Sequence, residues 1–165
     1  MAVKTRRSVA GVIAHSKARP ETDWSKVSAR EQVRLDAADA AGECRELRES
    51  GASLNDLWRF GVLQSLDYYN SAMKVGGVGL AAQVFERAPE SSGCVEVDAA
   101  FAALAEHLAY RDDWVPPTWS LDEARTVDGW YVPQSPAFYA QAEAESPQAF
   151  RHRGIYITTD DLSRA

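Results

Sequence analysis

The stretch YRDDWVPPTWSLDEARTVDGWYVPQSPAFYAQAEAESPQAFRHRGIYI, from Tyr110 to Ile157, contains most of the large side chains that must be removed from water. Five of the chain's seven prolines lie between its rings. Proline fixes φ and restricts the residue before it, so short, stiff segments are predicted here. Each ring buries on the order of 150–250 Å², and we expect these segments to pack on the helices that precede them. The rings are Trp114, Trp119, Trp130, Tyr131, Phe138, Tyr139, Phe150 and Tyr156.

Helical patterns dominate the chain before this stretch. Ser28-Ala-Arg-Glu31 and Ser53-Leu-Asn-Asp56 both have the spacing of a capping box at a helix N-terminus. The short link at Gly51 and Ala52 predicts a hairpin between the two helices that they begin. Apolar residues at i, i+3 and i+4, with glycines as stops, predict helices over residues 28–50, 53–73, 80–87 and 98–110.

The aromatic stretch itself is predicted to alternate links and short helices. Consecutive prolines favour an extended link over residues 114–119. Serine before proline is typical of a helix start, which predicts helices at 136–145 and 147–153. The remaining predictions are a capped turn from Ser120 to about Val127, extended pieces at 95–97 and 155–157, and a closing turn capped by Thr159. The chain is therefore expected to be all-α, an irregular helical bundle with a Pro/Trp-rich C-terminal half of short helices.

Charge and composition indicate how the chain is organised. It has 165 residues, 45% of them hydrophobic, and a net charge of −6, which favours one domain with its own core. The first 20 residues contain five basic residues and no acidic one, so the remainder carries −11. We expect a basic, partly flexible arm over residues 1–23 and a single helical domain over 24–165. No apolar run is long enough for a membrane span or a signal peptide, and two isolated cysteines fit a cytoplasmic protein.

The sequence lacks the motifs of common catalytic or cofactor sites. His15, His107 and His152 are far apart, and no cysteine or histidine pair has zinc spacing, so neither a metal nor a cofactor is expected. Gly76-Gly77-Val78-Gly79 lacks the lysine of a phosphate-binding loop and is predicted to break a helix. Glu106 and His107 point about 100° apart on their helix and are expected to be solvated. We therefore do not expect an enzyme.

A DNA-binding regulator is the alternative that the first half of the chain suggests. The residues from Leu54 to Val62 have a pattern similar to the first helix and turn of a degenerate helix-turn-helix. The following residues, 64–70, contain no basic side chain to meet phosphates, so core packing explains the pattern better. DNA contact would then depend on the basic residues of the arm, which are Lys4, Arg6, Arg7, Lys17 and Arg19.

Three motifs of the C-terminal half resemble a family of small actinobacterial proteins. They are Ala-Glu-His-Leu at 105–108, a Trp-x-x-Pro-x-Trp-like link at 114–119, and a Ser-Pro…Phe-Arg-x-Arg-Gly-Ile segment at 146–155. Members of that family are encoded beside nucleotidyltransferase-like toxins and are taken to be their antitoxins. The resemblance covers about residues 98–165 and implies a partner toxin protein, with no catalytic residues. The N-terminal half shows no such resemblance.

The side chains expected to bind that partner come from the aromatic stretch. Arginine, tyrosine and tryptophan are favoured interface anchors, and two arginines lie near the end of the last predicted helix. An acidic body would complement a basic nucleotide- or RNA-binding cleft. The predicted partner-binding residues are Trp119, Trp130, Tyr131, Arg151 and Arg153.

Overall fold

The computed structural model describes residues 35–163, and helices account for most of them. The elements are α1 (Ala37–Glu49), α2 (Leu54–Leu57), a π-helical turn (Trp58–Val62), α3 (Leu63–Ala82), α4 (Val95–Arg111), β1 (Trp130–Tyr131), α5 (Tyr139–Glu145), α6 (Gln148–Arg151) and β2 (Ile155–Tyr156). Single 3₁₀ turns occur at Gln83–Phe85, Thr118–Leu121, Pro136–Phe138 and Thr159–Leu162. The predicted all-α fold class is confirmed.

The start of α1 corrects the first predicted helix. Asp36 is extended, with φ −129° and ψ −178°, so one helix does not run from residue 28 to residue 50. Its carboxylate accepts from the Asp39 backbone N–H at 2.9 Å, and Asp39 accepts from the Asp36 N–H at 3.1 Å. This reciprocal pair of hydrogen bonds satisfies two backbone N–H groups at the start of α1 that have no acceptor within the helix. The predicted box at 28–31 and the five basic arm residues lie outside the described residues.

The second predicted helix begins where the sequence indicated and continues further. Ser53 accepts from the Asp56 N–H at 3.2 Å, which confirms its capping box. The helix then passes without a turn through the π-helical residues 58–62 into α3. A helix-turn-helix needs a second helix set off by a turn, so that interpretation of residues 54–62 is wrong. The glycine break is present as a kink at Gly77, with φ 70°, after which helix resumes to Ala82.

α1 and the π-helical turn approach closely at Gly61. A Cβ built on Gly61 would lie 2.1 Å from the Cys44 Sγ and 3.3 Å from the Phe101 ring. Cys44 is fully buried, and burial raises the pKa of its thiol to about 12. Only a residue without a side chain allows α1, the π-helical turn and α4 to meet here. The glycine that appears to be a helix defect in the sequence is therefore a packing requirement.

α4 is the central helix of the core. It starts at Val95, three residues before the predicted cap, so the proposed strand at 95–97 is wrong. Asp98 instead accepts from the Ser91 hydroxyl at 2.6 Å and the Ser92 N–H at 2.8 Å, which fastens the preceding loop to the first turn. The buried residues of α4 include Phe101, Leu104 and Leu108. Burial on nearly all sides explains why α4 is alanine-rich, since small residues let neighbouring segments approach.

The aromatic stretch wraps around this core in short pieces, as predicted. The helices at 136–145 and 148–151 agree with the sequence analysis to within two residues. Ser120 does not begin a capping box, because its hydroxyl donates to the Pro117 carbonyl at 2.8 Å. The closing turn is capped by Thr158 rather than Thr159. β1 and β2 pair in parallel, with Trp130 opposite Ile155 and Tyr131 opposite Tyr156, a pairing that the sequence analysis did not anticipate.

Two ring clusters join the helices to this wrapping segment. Trp58, from the π-helical turn, meets Trp130 edge-on at 5.7 Å and Phe150 at 6.3 Å between ring centroids. Tyr69 and Phe85 stack against Trp114 at 6.2 and 6.3 Å. Edge-to-face and offset pairs add about 0.5–1.5 kcal/mol each to the burial of their area. The C-terminal half therefore contributes to the core and is not an appended platform.

We expect Gly61→Ala to destabilise the protein by about 1–3 kcal/mol, because the new methyl group overpacks the contact with Cys44. Chemical denaturation measures the free energy of unfolding. Gly42→Ala is the matched control: no described atom would lie within 4 Å of its Cβ, and alanine there favours α1 by up to about 1 kcal/mol. Equal stability of the Gly61→Ala variant and the parent would contradict the close approach.

Candidate functional site

Three tyrosines form a stack at the surface of the C-terminal half. The Tyr131 ring lies between those of Tyr139 and Tyr156, at centroid distances of 4.1 and 4.7 Å and interplanar angles of 21° and 22°. The parallel register of β1 and β2 places Tyr131 beside Tyr156, and the start of α5 supplies Tyr139. All three are half-buried. We call these residues the tyrosine stack; the rings of Tyr139 and Tyr156 cover the two faces of the Tyr131 ring.

Two glutamates of α5 hold the stack and the last turn in place. The Tyr131 hydroxyl donates to the Glu143 carboxylate, which raises the pKa of Tyr131 to about 12. The Glu145 carboxylate accepts from the Thr159 N–H at 2.9 Å and its hydroxyl at 3.0 Å. The Thr159 backbone hydrogen bond is the main cause of a lowered Glu145 pKa. The stack is thus fixed in orientation before any partner meets it.

Both predicted tryptophan anchors are half-buried and have internal contacts. The Trp119 indole N–H donates to the Phe85 carbonyl at 2.9 Å, and the Arg125 guanidinium lies 5.3 Å from the ring centroid. Trp130 packs edge-on against Trp58 and borders a hollow of about 190 Å³. Tyr131 lines the same hollow. Trp130 and Tyr131 are therefore brought together at the hollow. Trp119 instead connects the 118–121 turn to the 3₁₀ turn that follows α3.

The two predicted arginines have opposite environments. Arg151 is exposed and donates to the Ser146 carbonyl at 2.9 Å. Arg153 is 2% exposed and cannot contact a partner, so its assignment to the interface is wrong. α6 ends at Arg151, and the turn that follows, with Gly154 at φ 76°, directs Arg153 inward.

Arg153 is the centre of a buried polar cluster. It donates to the Glu106 carboxylate at 2.8 Å, and the two side chains are 3% and 8% exposed. It also donates to the Asp122 carbonyl at 3.2 Å, the Arg125 carbonyl at 3.1 Å and the Ser120 carbonyl. One guanidinium thereby joins α4 to the irregular segment after the 3₁₀ turn. A buried carboxylate needs such a counter-charge, because isolated burial is strongly unfavourable.

The expectation that Glu106 and His107 lie on a solvated face is also wrong. Glu106 is 6% exposed, and His107 packs edge-on against Phe150 at 6.0 Å. Burial lowers the His107 pKa, with the Arg111 charge as a second cause. His152 does reach Glu106, with Nε2 3.3 Å from Oε2. The sequence analysis missed this partnership; the available signal was Glu106, the single acid among residues 99–111 of α4, and a basic Arg-His-Arg run elsewhere.

A cleft of about 500 Å³ opens beside this polar cluster. Its lining comprises Glu106, Leu121, Glu123, Thr126, His152 and Arg153, and we call it the Arg153 cleft. The described residues contain no group of three or more His, Cys, Asp and Glu side chains that could hold a metal ion. Over residues 35–163, no helix combines the length and apolar character needed to cross a membrane.

Comparisons of the chain with protein-family models, curated proteins and solved structures find no match. Any function must therefore be argued from the chain itself. Its two candidate features are the tyrosine stack with its adjoining hollow and the Arg153 cleft.

Arg153→Met should destabilise the protein by about 3–5 kcal/mol, because it leaves the Glu106 carboxylate buried without its counter-charge. Urea denaturation tests this, with Arg151→Met as the matched control and an expected change within about 0.5 kcal/mol. Adding Glu106→Gln to Arg153→Met should restore part of the loss. A fully additive double variant would contradict the coupling between these two side chains.

Removing the Glu143 contact should lower the Tyr131 pKa. In the folded parent, Tyr131 should lose its proton near pH 12, and Glu143→Gln should return the pKa towards about 10. Titration of the Tyr131 ring resonances by NMR measures the shift. Glu145→Gln, on the same helix but bonded to Thr159, should leave Tyr131 unchanged. An unaltered Tyr131 titration in the Glu143→Gln variant would refute the assignment.

Proposed function

We propose that this chain is an antitoxin-like protein that binds and neutralises a partner toxin in the cytoplasm. The supporting observation is the tyrosine stack, an ordered group of half-exposed aromatic side chains that do not belong to the hydrophobic core. Tyrosine supplies contact area at little cost in conformational entropy, and it is enriched at interface hot spots. A stack whose orientation is already fixed loses less freedom on binding, which favours affinity.

The proposed interface extends beyond the three tyrosines. Phe138, which directly precedes Tyr139, is 50% exposed, and Arg151 is exposed on α6. The hollow bounded by Trp130 and Tyr131 provides a recess where a side chain of the partner can insert. Apolar anchors surrounded by polar groups are typical of protein-binding surfaces. Of the five predicted residues, the proposed interface thus keeps Trp130, Tyr131 and Arg151. It does not include Trp119, whose indole N–H is bonded to the Phe85 carbonyl, or the buried Arg153.

Charge indicates what kind of partner fits. Residues 21–165 carry −11, and one of their carboxylates, that of exposed Glu143, lies beside the tyrosine stack. A basic nucleotide- or RNA-binding cleft on the toxin would be attracted to this body and steered towards the interface. The C-terminal resemblance indicates a toxin of nucleotidyltransferase type. Such a toxin would bind negatively charged nucleotides and would therefore need a basic cleft. The proposal therefore names a basic protein surface as the partner.

Binding to the co-encoded toxin candidate tests this proposal. Tyr139→Ala and Arg151→Glu should each weaken the complex by about 2 kcal/mol, roughly thirtyfold in Kd, as expected of hot-spot residues. Isothermal titration calorimetry of the purified pair measures Kd, and an inhibition assay of the toxin reports neutralisation.

Each variant has a matched control away from the proposed interface. Tyr110→Ala, at a residue of α4 that is 66% exposed, is the control for Tyr139→Ala. Lys74→Glu, at an exposed residue of α3, is the control for Arg151→Glu. Both variants should bind as the parent does. If the controls weaken binding as much as Tyr139→Ala and Arg151→Glu, the tyrosine stack is not the interface. If no complex forms with the parent, the proposed function itself fails.

A further inference from the structure

The Arg153 cleft has a charge pattern that the proposed interface does not use. The only cation in its wall that is always charged is Arg153, and its guanidinium is engaged by Glu106 and three backbone carbonyls within the described structure. Arg153 and Glu106 therefore neutralise each other. Their pairing removes from the cleft both the positive group that would attract an anion and one of its two carboxylates.

The Arg153 Nε has no hydrogen-bond partner among the described residues but is buried, and the two exposed polar groups that remain in the lining can both accept hydrogen bonds. Glu123 is exposed, and its carboxylate has no hydrogen bond or ion pair within residues 35–163. Thr126 is exposed and offers a hydroxyl oxygen. His152 is engaged by the same carboxylate, with Nε2 3.3 Å from the Glu106 Oε2. The cleft thus presents one carboxylate without a partner among the described residues and one hydroxyl oxygen.

We infer that the Arg153 cleft binds an alkylguanidinium group. A guanidinium is a planar cation with five N–H donors and no acceptor, which complements a lining of this kind better than an anion or a neutral acceptor does. Leu121, 46% exposed at the rim, provides apolar surface for the alkyl stem. The volume of about 500 Å³ is within the range of small-ligand sites and exceeds what the head group alone requires.

The same chemistry is available as a free small molecule or as an arginine side chain of another protein. The inference depends on neither the proposed toxin partner nor the tyrosine stack, because none of its residues belongs to that interface. Its failure would leave the proposed function intact, and failure of the proposed function would leave the cleft unaffected.

An NMR titration of the full chain with n-butylguanidinium tests the inference. Saturable shifts of the amides at 121–127 and 151–154 are expected, with a Kd of about 1 mM or lower. The matched neutral probe is n-butylurea, which keeps the planar shape and loses the charge, and its affinity should be at least tenfold lower. An acetylated and amidated Gly-Arg-Gly peptide distinguishes the sources: tighter binding than butylguanidinium indicates an arginine side chain, and weaker binding indicates a free ligand.

Glu123→Gln removes the unpaired carboxylate and leaves the Arg153–Glu106 pair in place, so it should weaken butylguanidinium binding at least tenfold. Glu43 is an exposed acid on α1 that does not line the cleft, and Glu43→Gln should not change the binding. Three outcomes would overturn the inference. They are equal binding of the urea, shifts spread over the whole acidic surface, and equal losses in the Glu123→Gln and Glu43→Gln variants.

Discussion

The buried contact between Arg153 and Glu106 is the interaction on which the C-terminal half depends. α4 supplies the carboxylate, and the guanidinium also binds the Ser120 carbonyl in the 118–121 turn and the Asp122 and Arg125 carbonyls in the segment that follows. Asp122 is the one of these three that also accepts from a backbone N–H outside regular helices and strands, that of Arg125 at 3.1 Å. A single side chain therefore links a long helix to a segment that has little regular secondary structure.

Most helices could be predicted because local chemistry determines them. Ser53 with Asp56, the apolar spacing along α4 and the serine–proline pairs each act within one or two turns, so the sequence pattern contains the whole cause. The errors occur where a distant residue decides the outcome. Asp36 begins α1 partly because Arg87 reaches it from 51 residues away with two hydrogen bonds. No local sequence pattern could indicate the contact between Arg87 and Asp36.

The candidate site could be predicted only in part for the same reason. The sequence analysis named Trp130 and Tyr131 as expected anchors, but it could not reveal that Tyr139 and Tyr156 complete a stack with Tyr131. That grouping requires the parallel pairing of two-residue strands that are 25 positions apart. Arg151 and Arg153 are the same residue type two positions apart, yet Arg151 is exposed at the end of α6 and Arg153 is buried in the turn that follows. Burial at this level of detail is a property of the tertiary fold and not of residue type.

The position of Arg153 along the chain also has a consequence during protein synthesis. Its four acceptors precede it by 28 to 47 residues, so they emerge from the ribosome without the group that holds them. At about 5–20 residues per second, the segment around Asp122 waits for about 1–6 s. α1 and α2 have their own capping boxes, and α1 to α4 share apolar contacts, so these helices can assemble during that interval. The segment around Arg153 then packs onto helices that are already formed.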